Sequence, residues 1–259
     1  MEEMFSRKEI VFRRHTILKA DMLSQCCSIP VEMMELLYGD WSDGIVAGGN
    51  IVIDSGGLCI MPGILRYAGR LYQMTQAEYI PYEANGKDMI LKIRFAERKE
   101  NESEICYESD FLLTEEKEER ATDMELARFC LKAGAELRNH YQSFADMGTY
   151  YNTLNLIYAP YSAIGVATLS PVITMQFAEE VKHYSGLGED DFAFVLECMR
   201  GKAVSRPVIL AYIQRKLELE QIDHIDNMQM FEYLKKITEK IRTTRNVKTS
   251  NPARRIFID

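Results

Sequence analysis

The side chains best placed to do chemistry together are Tyr150, Tyr151, Asn152 and Asn155, in the run Tyr-Tyr-Asn-Thr-Leu-Asn, with Tyr158 and Tyr161 following. Tyr supplies a rigid amphipathic ring, and Asn supplies two donors and an acceptor. Together they can read a polar ligand or present a rigid binding surface. The same residue types also suit a connection in which Asn caps backbone groups and Tyr packs with one wet edge. Carboxylates at Glu125, Glu179, Glu180, Glu189, Asp190 and Asp191 are the candidates for acid–base work. That work needs two carboxylates at a defined separation in a cleft. These residues instead fall at predicted helix ends or on polar faces, where Asp190 and Asp191 complement a helix N-terminus.

No phosphate-binding loop of the form G-x-x-x-x-G-K-[ST] is present, nor G-x-G-x-x-G, G-x-S-x-G or H-E-x-x-H. Gly48-Gly49 and Gly56-Gly57 lie between predicted strands, so they lack a helix N-terminus to aim at phosphate. The six cysteines (Cys26, Cys27, Cys59, Cys106, Cys130, Cys198) form no C-x-x-C pair, and the four histidines are far apart. Such scattered thiols are the usage of a reducing compartment, with Cys acting as a small apolar residue. The expectation is therefore no metal, no cofactor, no disulfide and a cytoplasmic location.

Two basic stretches mark the ends: Arg7, Lys8, Arg13, Arg14 and Lys19, then Arg242, Arg245, Lys248, Arg254 and Arg255. Neither interleaves aromatics at a spacing suited to base stacking. The whole chain carries a formal charge of −8, which repels phosphate backbones at long range and disfavours nucleic acid as a partner. After the second basic stretch come Ile256, Phe257 and Ile258, so Arg254, Arg255 and Phe257 suit a docking segment that is steered by charge and anchored by an aromatic ring. No run of about 18 apolar residues and no apolar leader occur, so neither a membrane span nor a standard signal is expected.

The elements that would position these residues follow from periodicity. A chain of 259 residues that is 47% hydrophobic can bury a core without metals or disulfides. Residues 5–19 read as a strand or extended arm. A short helix over 20–26 precedes a second one that starts at Pro30 and runs to Leu37. Between Trp41 and Leu113 short β-type runs alternate with turn residues. Ala68-Gly69 predicts one hairpin, and Asn85-Gly86 predicts another that joins residues 79–82 to 89–95. Pro81 places its strand at a sheet edge or bulge. The charged run 114–120 is the candidate boundary. Beyond it Ala127, Cys130, Leu131, Gly134, Leu137, Tyr141 and Phe144 fall at steps of one, three or four, which predicts one helix face. Ser170-Pro171 opens a further helix to about residue 184, followed by helices over 190–199, about 205–220 and 227–241. The expected fold class is α+β: a small antiparallel β-sandwich or partly open barrel over 1–114, a helical bundle over 115–242, and a basic tail over 243–259.

Two stretches resemble known families. Asp43-Gly44-Ile45-Val46-Ala47-Gly48, then Gly57-Leu58-Cys59-Ile60-Met61-Pro62-Gly63-Ile64, then Gly69-Arg70-Leu71-Tyr72, resembles a pattern of phage tail and baseplate proteins. The resemblance covers about residues 10–82. It implies a small shoulder-type β-domain like that of tail receptor-binding proteins and of baseplate components in contractile injection systems. The chain lacks the β-rich C-terminal tip of the receptor-binding proteins, so the resemblance favours a scaffold or adaptor over a host-binding role. Residues 125–129 and 134–138, then 151–155 and 168–171, resemble an uncharacterised bacterial family whose members sometimes carry the label "DNA and RNA helicase". A helicase needs a nucleotide site and two motor lobes, and this chain has no phosphate loop.

These readings lead to a non-catalytic structural or adaptor subunit of a phage-tail-like baseplate assembly. It would engage a protein partner or further copies of itself, with Met33, Met34, Met61, Met74 and Met89 as adaptable apolar surface. Two alternatives remain open at this point. One is a small-ligand enzyme or sensor built on the Tyr/Asn cluster, which predicts a deep pocket. The other is a nucleic-acid accessory protein that uses the basic ends, which predicts steeply salt-dependent binding.

Overall fold

The computed structural model describes residues 9–12, 14–15, 17, 19–54, 56–101, 104–115, 117, 120–184, 186–220, 222 and 225–249, with side chains to residue 243. The chain divides into two compact units, Met1–Asp40 and Trp41–Asp259. In the first, a single helix, α1 (Ala20–Leu37), replaces the two short helices expected there, and Pro30 lies inside it. The φ that proline fixes is compatible with a helix, and the apolar period runs straight through the proline, from Met22, Cys26 and Ile29 to Met33 and Leu36.

The second unit begins with antiparallel sheets. Strands β1 (Gly44–Gly48), β4 (Gly63–Tyr67) and β5 (Arg70–Met74) form one, in the order β1-β4-β5. Strands β2 (Ile51–Asp54), β3 (Gly57–Ile60) and β6 (Glu78–Pro81) form another, in the order β2-β3-β6. In a third, β7 (Asp88–Phe95) lies between β10 (Ser109–Thr114) and β11 (Asp123–Cys130). A short ladder pairs β8 (Lys99–Glu100) with β9 (Ile105–Cys106). The three larger sheets share one core, in which Ile45, Leu58, Leu91, Phe95, Met124 and Phe129 are buried together. Tyr67 stacks on Phe95 with ring centroids 3.7 Å apart.

The motif residues have packing roles. At Gly48 (φ +65°) an added Cβ would lie 2.3 Å from the Pro62 carbonyl oxygen, so the D-G-I-V-x-G and P-G segments cross backbone against backbone. Ala68 and Gly69, both at positive φ, make the expected two-residue turn between β4 and β5. Pro81 ends an edge strand, as expected.

The second expected hairpin does not form. Asn85-Gly86 turns the chain from one sheet into the next, and the Gly86 N–H donates to the Leu131 carbonyl. The reason is occupancy: both edges of β7 are taken, by β10 and β11, so β6 pairs with β3 instead.

The helix expected over 127–144 is also absent. Residues 123–130 are strand β11, and a bulge between Glu125 and Ala127 buries neighbouring residues on both faces, which erases the period-two signal. Gly134 has φ +78°, which a helix does not accommodate, and Ala145–Gly148 is a short 3₁₀ turn. The apolar spacing of three and four therefore arose from a doubly buried strand followed by irregular backbone. The charged run 114–120 connects β10 to β11, so a division at residue 114 would separate two strands that flank the same neighbour.

Helices follow: α2 (Pro171–Val181), α3 (Glu189–Cys198), α4 (Arg206–Leu217) and α5 (Asn227–Thr249). The fold is thus α+β, with four of the five α-helices among the described residues following the antiparallel sheets. Ser170 caps α2 by accepting from the Val172 N–H at 3.2 Å, with Pro171 at the first helical position. Helix α5 continues through Thr249, so the stretch expected to be a tail from residue 243 begins as helix. Phe144, Phe177, Val195, Ile213, Phe231 and Leu234 are among the residues of the helical core. Arg206 ties its elements together, donating to the carbonyls of Ala167 (2.7 Å) and Ile225 and to Asn227 Oδ1 (2.8 Å).

Candidate functional site

The Tyr/Asn cluster occupies an extended segment stitched to β11 by single bridges, Cys130 to Tyr151 and Arg128 to Asn155. Its asparagines serve the backbone. Asn152, at φ +58°, accepts the Lys132 N–H at 3.1 Å through its side chain, and Asn155 accepts the Ile157 N–H at 2.8 Å. Asn and Asp tolerate this left-handed conformation better than other non-glycine residues, which accounts for the residue type at 152.

Tyr150 and Tyr158 border a cleft of about 180 Å³ that is also lined by Asp88, Lys117, Arg128, Cys130 and Asn155, with Met228 of α5 among the apolar contributors. The polar groups around it are engaged with one another. The Tyr150 hydroxyl donates to Asp88 Oδ1, and Lys117 pairs with Asp88 Oδ2 at 3.0 Å. The hydrogen bond from Tyr150, then the one from Lys117, holds the Asp88 carboxyl below its ordinary value. The same bond to Asp88 pushes the Tyr150 phenol up. At neutral pH the pair is therefore a carboxylate and a neutral phenol, neither poised to exchange a proton. Arg128 makes two 2.6 Å hydrogen bonds to Glu125 and lies 3.4 Å from the Tyr158 ring centroid. Lys132 sits 3.9 Å over Tyr151, whose ring meets Tyr150 edge-on at 4.7 Å. A cleft of this size falls below the roughly 300–1,000 Å³ of ordinary ligand pockets. The arrangement acts as a polar latch between β7, β11 and the 148–158 segment.

A second cavity, about 260 Å³, lies among Ile45, Ile51, Leu126, Tyr141, Leu156 and Tyr161, with Asn50 and Asn139 at its polar side. Two of its polar groups are engaged: Tyr141 donates to the Leu154 carbonyl at 2.7 Å, and Asn139 donates to the Ile51 carbonyl at 3.1 Å. Burial pushes the Tyr141 phenol up to about 12.

The structure thus brings Tyr150, Tyr151, Asn152 and Asn155 together. Arg254, Arg255 and Phe257 lie outside the described residues. Sequence reasoning missed the charged partners that organise the cleft, because Asp88, Lys117 and Arg128 are distant in the chain. It also missed the buried polar network at α3. There Tyr212 donates to Asp191 Oδ1 at 2.8 Å, Lys216 pairs with the same carboxylate at 2.8 Å, and the Gly188 N–H donates to Asp191 Oδ2 at 3.1 Å. Asp191 is therefore a structural cap buried between helices rather than a surface complement to a dipole. Among the described residues no group of three or more His, Cys, Asp or Glu could hold a metal ion. No described helix is long and apolar enough to cross a membrane.

No family model matches the chain, and no curated protein matches it, so neither comparison supports the helicase-labelled family. Among solved structures the chain is similar to "Crystal structure of TssK", at 10% sequence identity and a TM-score of 0.40, over 92% of this chain and 72% of that one.

Proposed function

We propose that this chain is a non-catalytic structural or adaptor subunit of a phage-tail-like baseplate assembly, acting in the cytoplasm through protein–protein contacts. The observation that carries this reading is the apolar surface left uncovered on regular helices. Helix α1 has no buried residue, although Met33, Leu36 and Leu37 lie along it. On α3 and its C-cap the large side chains Phe192, Leu196 and Met199 recur at helical spacing and are all exposed. Soluble monomers rarely expose contiguous apolar patches beyond a few hundred Å², and larger ones mark interaction sites. The mutual engagement of the polar groups around the cleft, and the packing roles of the motif glycines, support a scaffold rather than a catalyst. The finer assignment to a tail-like assembly rests on the D-G-I-V-x-G and P-G pattern. The segment with Arg254, Arg255 and Phe257 belongs to this proposal as an assembly contact, and deletion from Ser250 onward should weaken association.

The test is gradient sedimentation of tail-like particles from the native host. The chain should co-sediment with them at a fixed ratio. A Phe192→Glu/Leu196→Glu variant with unchanged circular dichroism should remain at the top of the gradient. A wild-type chain that stays at the top would overturn the proposal.

A further inference from the structure

The cavity of about 260 Å³ is bounded by β1, β11 and the start of α2. Its floor is formed by Ile45, Leu126 and Ala159, all buried. Asn50 and Asn139, both exposed, and Val172, 38% exposed, stand at its mouth. None of the described residues that line it is charged. A phosphate, a carboxylate, an ammonium group or a metal ion would lose its water there without a countercharge, so the chemistry selects a neutral group. Tyr141 and Tyr161 contribute rings. Both hydroxyls are held by the protein, Tyr141 by the Leu154 carbonyl and Tyr161 by Ser170, so what they offer an incoming group is aromatic surface. Aromatic rings meet other rings favourably in offset or edge-on contact. An apolar cavity of about 150 Å³ already takes up benzene, so this one has room for a bicyclic ring.

The size and the mouth decide what carries that ring. The cavity lies just under the roughly 300–1,000 Å³ of pockets that enclose whole small molecules, which is the scale of one side chain inserted from outside. Asn139 uses one N–H on the Ile51 carbonyl, and an amide side chain has a second N–H and an acceptor oxygen besides. Asn50 adds another amide at the same mouth. Donor and acceptor together are what a peptide group pairs with. Met61, whose N–H donates to the Asn50 carbonyl at 2.9 Å, is exposed and extends apolar surface past the mouth. Resting on the reading of the chain as an adaptor, we propose that this cavity is the anchor site for an aromatic side chain, tryptophan above all, in a segment of a partner protein. The peptide groups beside that residue pair with Asn50 and Asn139. Aromatic anchors seated in water-excluding pockets carry much of the energy of protein interfaces.

The experiment uses the full chain, with N-acetyl-tryptophanamide as probe and N-acetyl-alaninamide as control, read by methyl NMR. The tryptophan amide should shift the Leu126 and Ala159 methyl signals in a saturable way, and the alanine amide should not. Val172→Trp blocks the mouth from an exposed position, and half-saturation by the probe should then rise about tenfold or more. Asn50→Ala, also at an exposed position, should weaken the tryptophan amide but not free indole, which has no peptide group. Particles from the native host then separate the sources of the ring: Val172→Trp should be lost from the tail-like particles that retain the wild type. A probe that shifts neither methyl, or that binds wild type and Val172→Trp alike, would overturn the site. Asn50→Ala weakening both probes equally, or neither, would overturn the peptide pairing. A probe bound in the cavity while Val172→Trp still sediments with the particles would overturn the protein partner and assign the cavity to a free aromatic molecule. If the probe binds but the wild-type chain is absent from the particles, the adaptor reading fails and the aromatic site stands.

Discussion

Asp43 holds the β4–β5 turn from 25 residues away: its Oδ2 accepts the Ala68 N–H at 3.0 Å, and its Oδ1 accepts from Arg66 at 3.2 Å. Ala68 is a non-glycine residue at positive φ, so an outside acceptor helps to fix a costly turn. Asp43 is part-exposed, which weakens the ionic part of this contact. Asp43→Ala should lower stability by about 1 kcal/mol, read as a lower urea midpoint at unchanged slope. An unchanged midpoint would mean that the turn holds itself.

The glycines of the motif should differ in cost. Gly48→Ala places a Cβ 2.3 Å from the Pro62 carbonyl, whereas Gly69→Ala meets nothing within 4 Å. Both carry the positive-φ penalty of about 1–2 kcal/mol. Gly48→Ala should therefore destabilise clearly more than Gly69→Ala in parallel denaturation curves. Equal effects would show that the crossing relaxes freely.

Acid should act on the loop before α2 through Asp146. The bidentate bond from Arg138, then the Gln142 N–H and the Thr149 hydroxyl, holds its carboxyl well below the ordinary range. A depressed folded-state value stabilises the fold above the unfolded value near 4, and that contribution fades as pH falls through the folded value. Asp146→Asn should therefore cost about 1–3 kcal/mol at pH 7 and much less near pH 2, compared by denaturant midpoints. A penalty independent of pH would show that the carboxylate charge plays no part.

Leu137→Ala should cost about 2–5 kcal/mol, because Leu137 is buried in the core shared by the three larger sheets. Periodicity had pointed to the same burial by way of a helix that does not exist. This case shows how far the sequence could be read. The Ala68-Gly69 turn, the Ser170-Pro171 cap and the α+β class were legible because each depends on local chemistry. Strand β11 was not, because Leu126 and Ala127 are both buried through a bulge and no period of two survives. The Tyr/Asn cluster was legible as a group, but its role depended on Asp88, Lys117 and Arg128, whose approach is set by strand pairing. The continuity of helix α1 is not legible either, because Pro30 is a common helix starter as well as a tolerated interior residue.

If this chain is a structural or adaptor part of a tail-like assembly, deleting its gene removes a component that the particle needs, which electron microscopy of particles from the native host would reveal. Complete particles should be lost from the deletion strain, and they should return on complementation with the wild-type chain but not with Phe192→Glu/Leu196→Glu. Complete particles at wild-type yield in the deletion strain would contradict it.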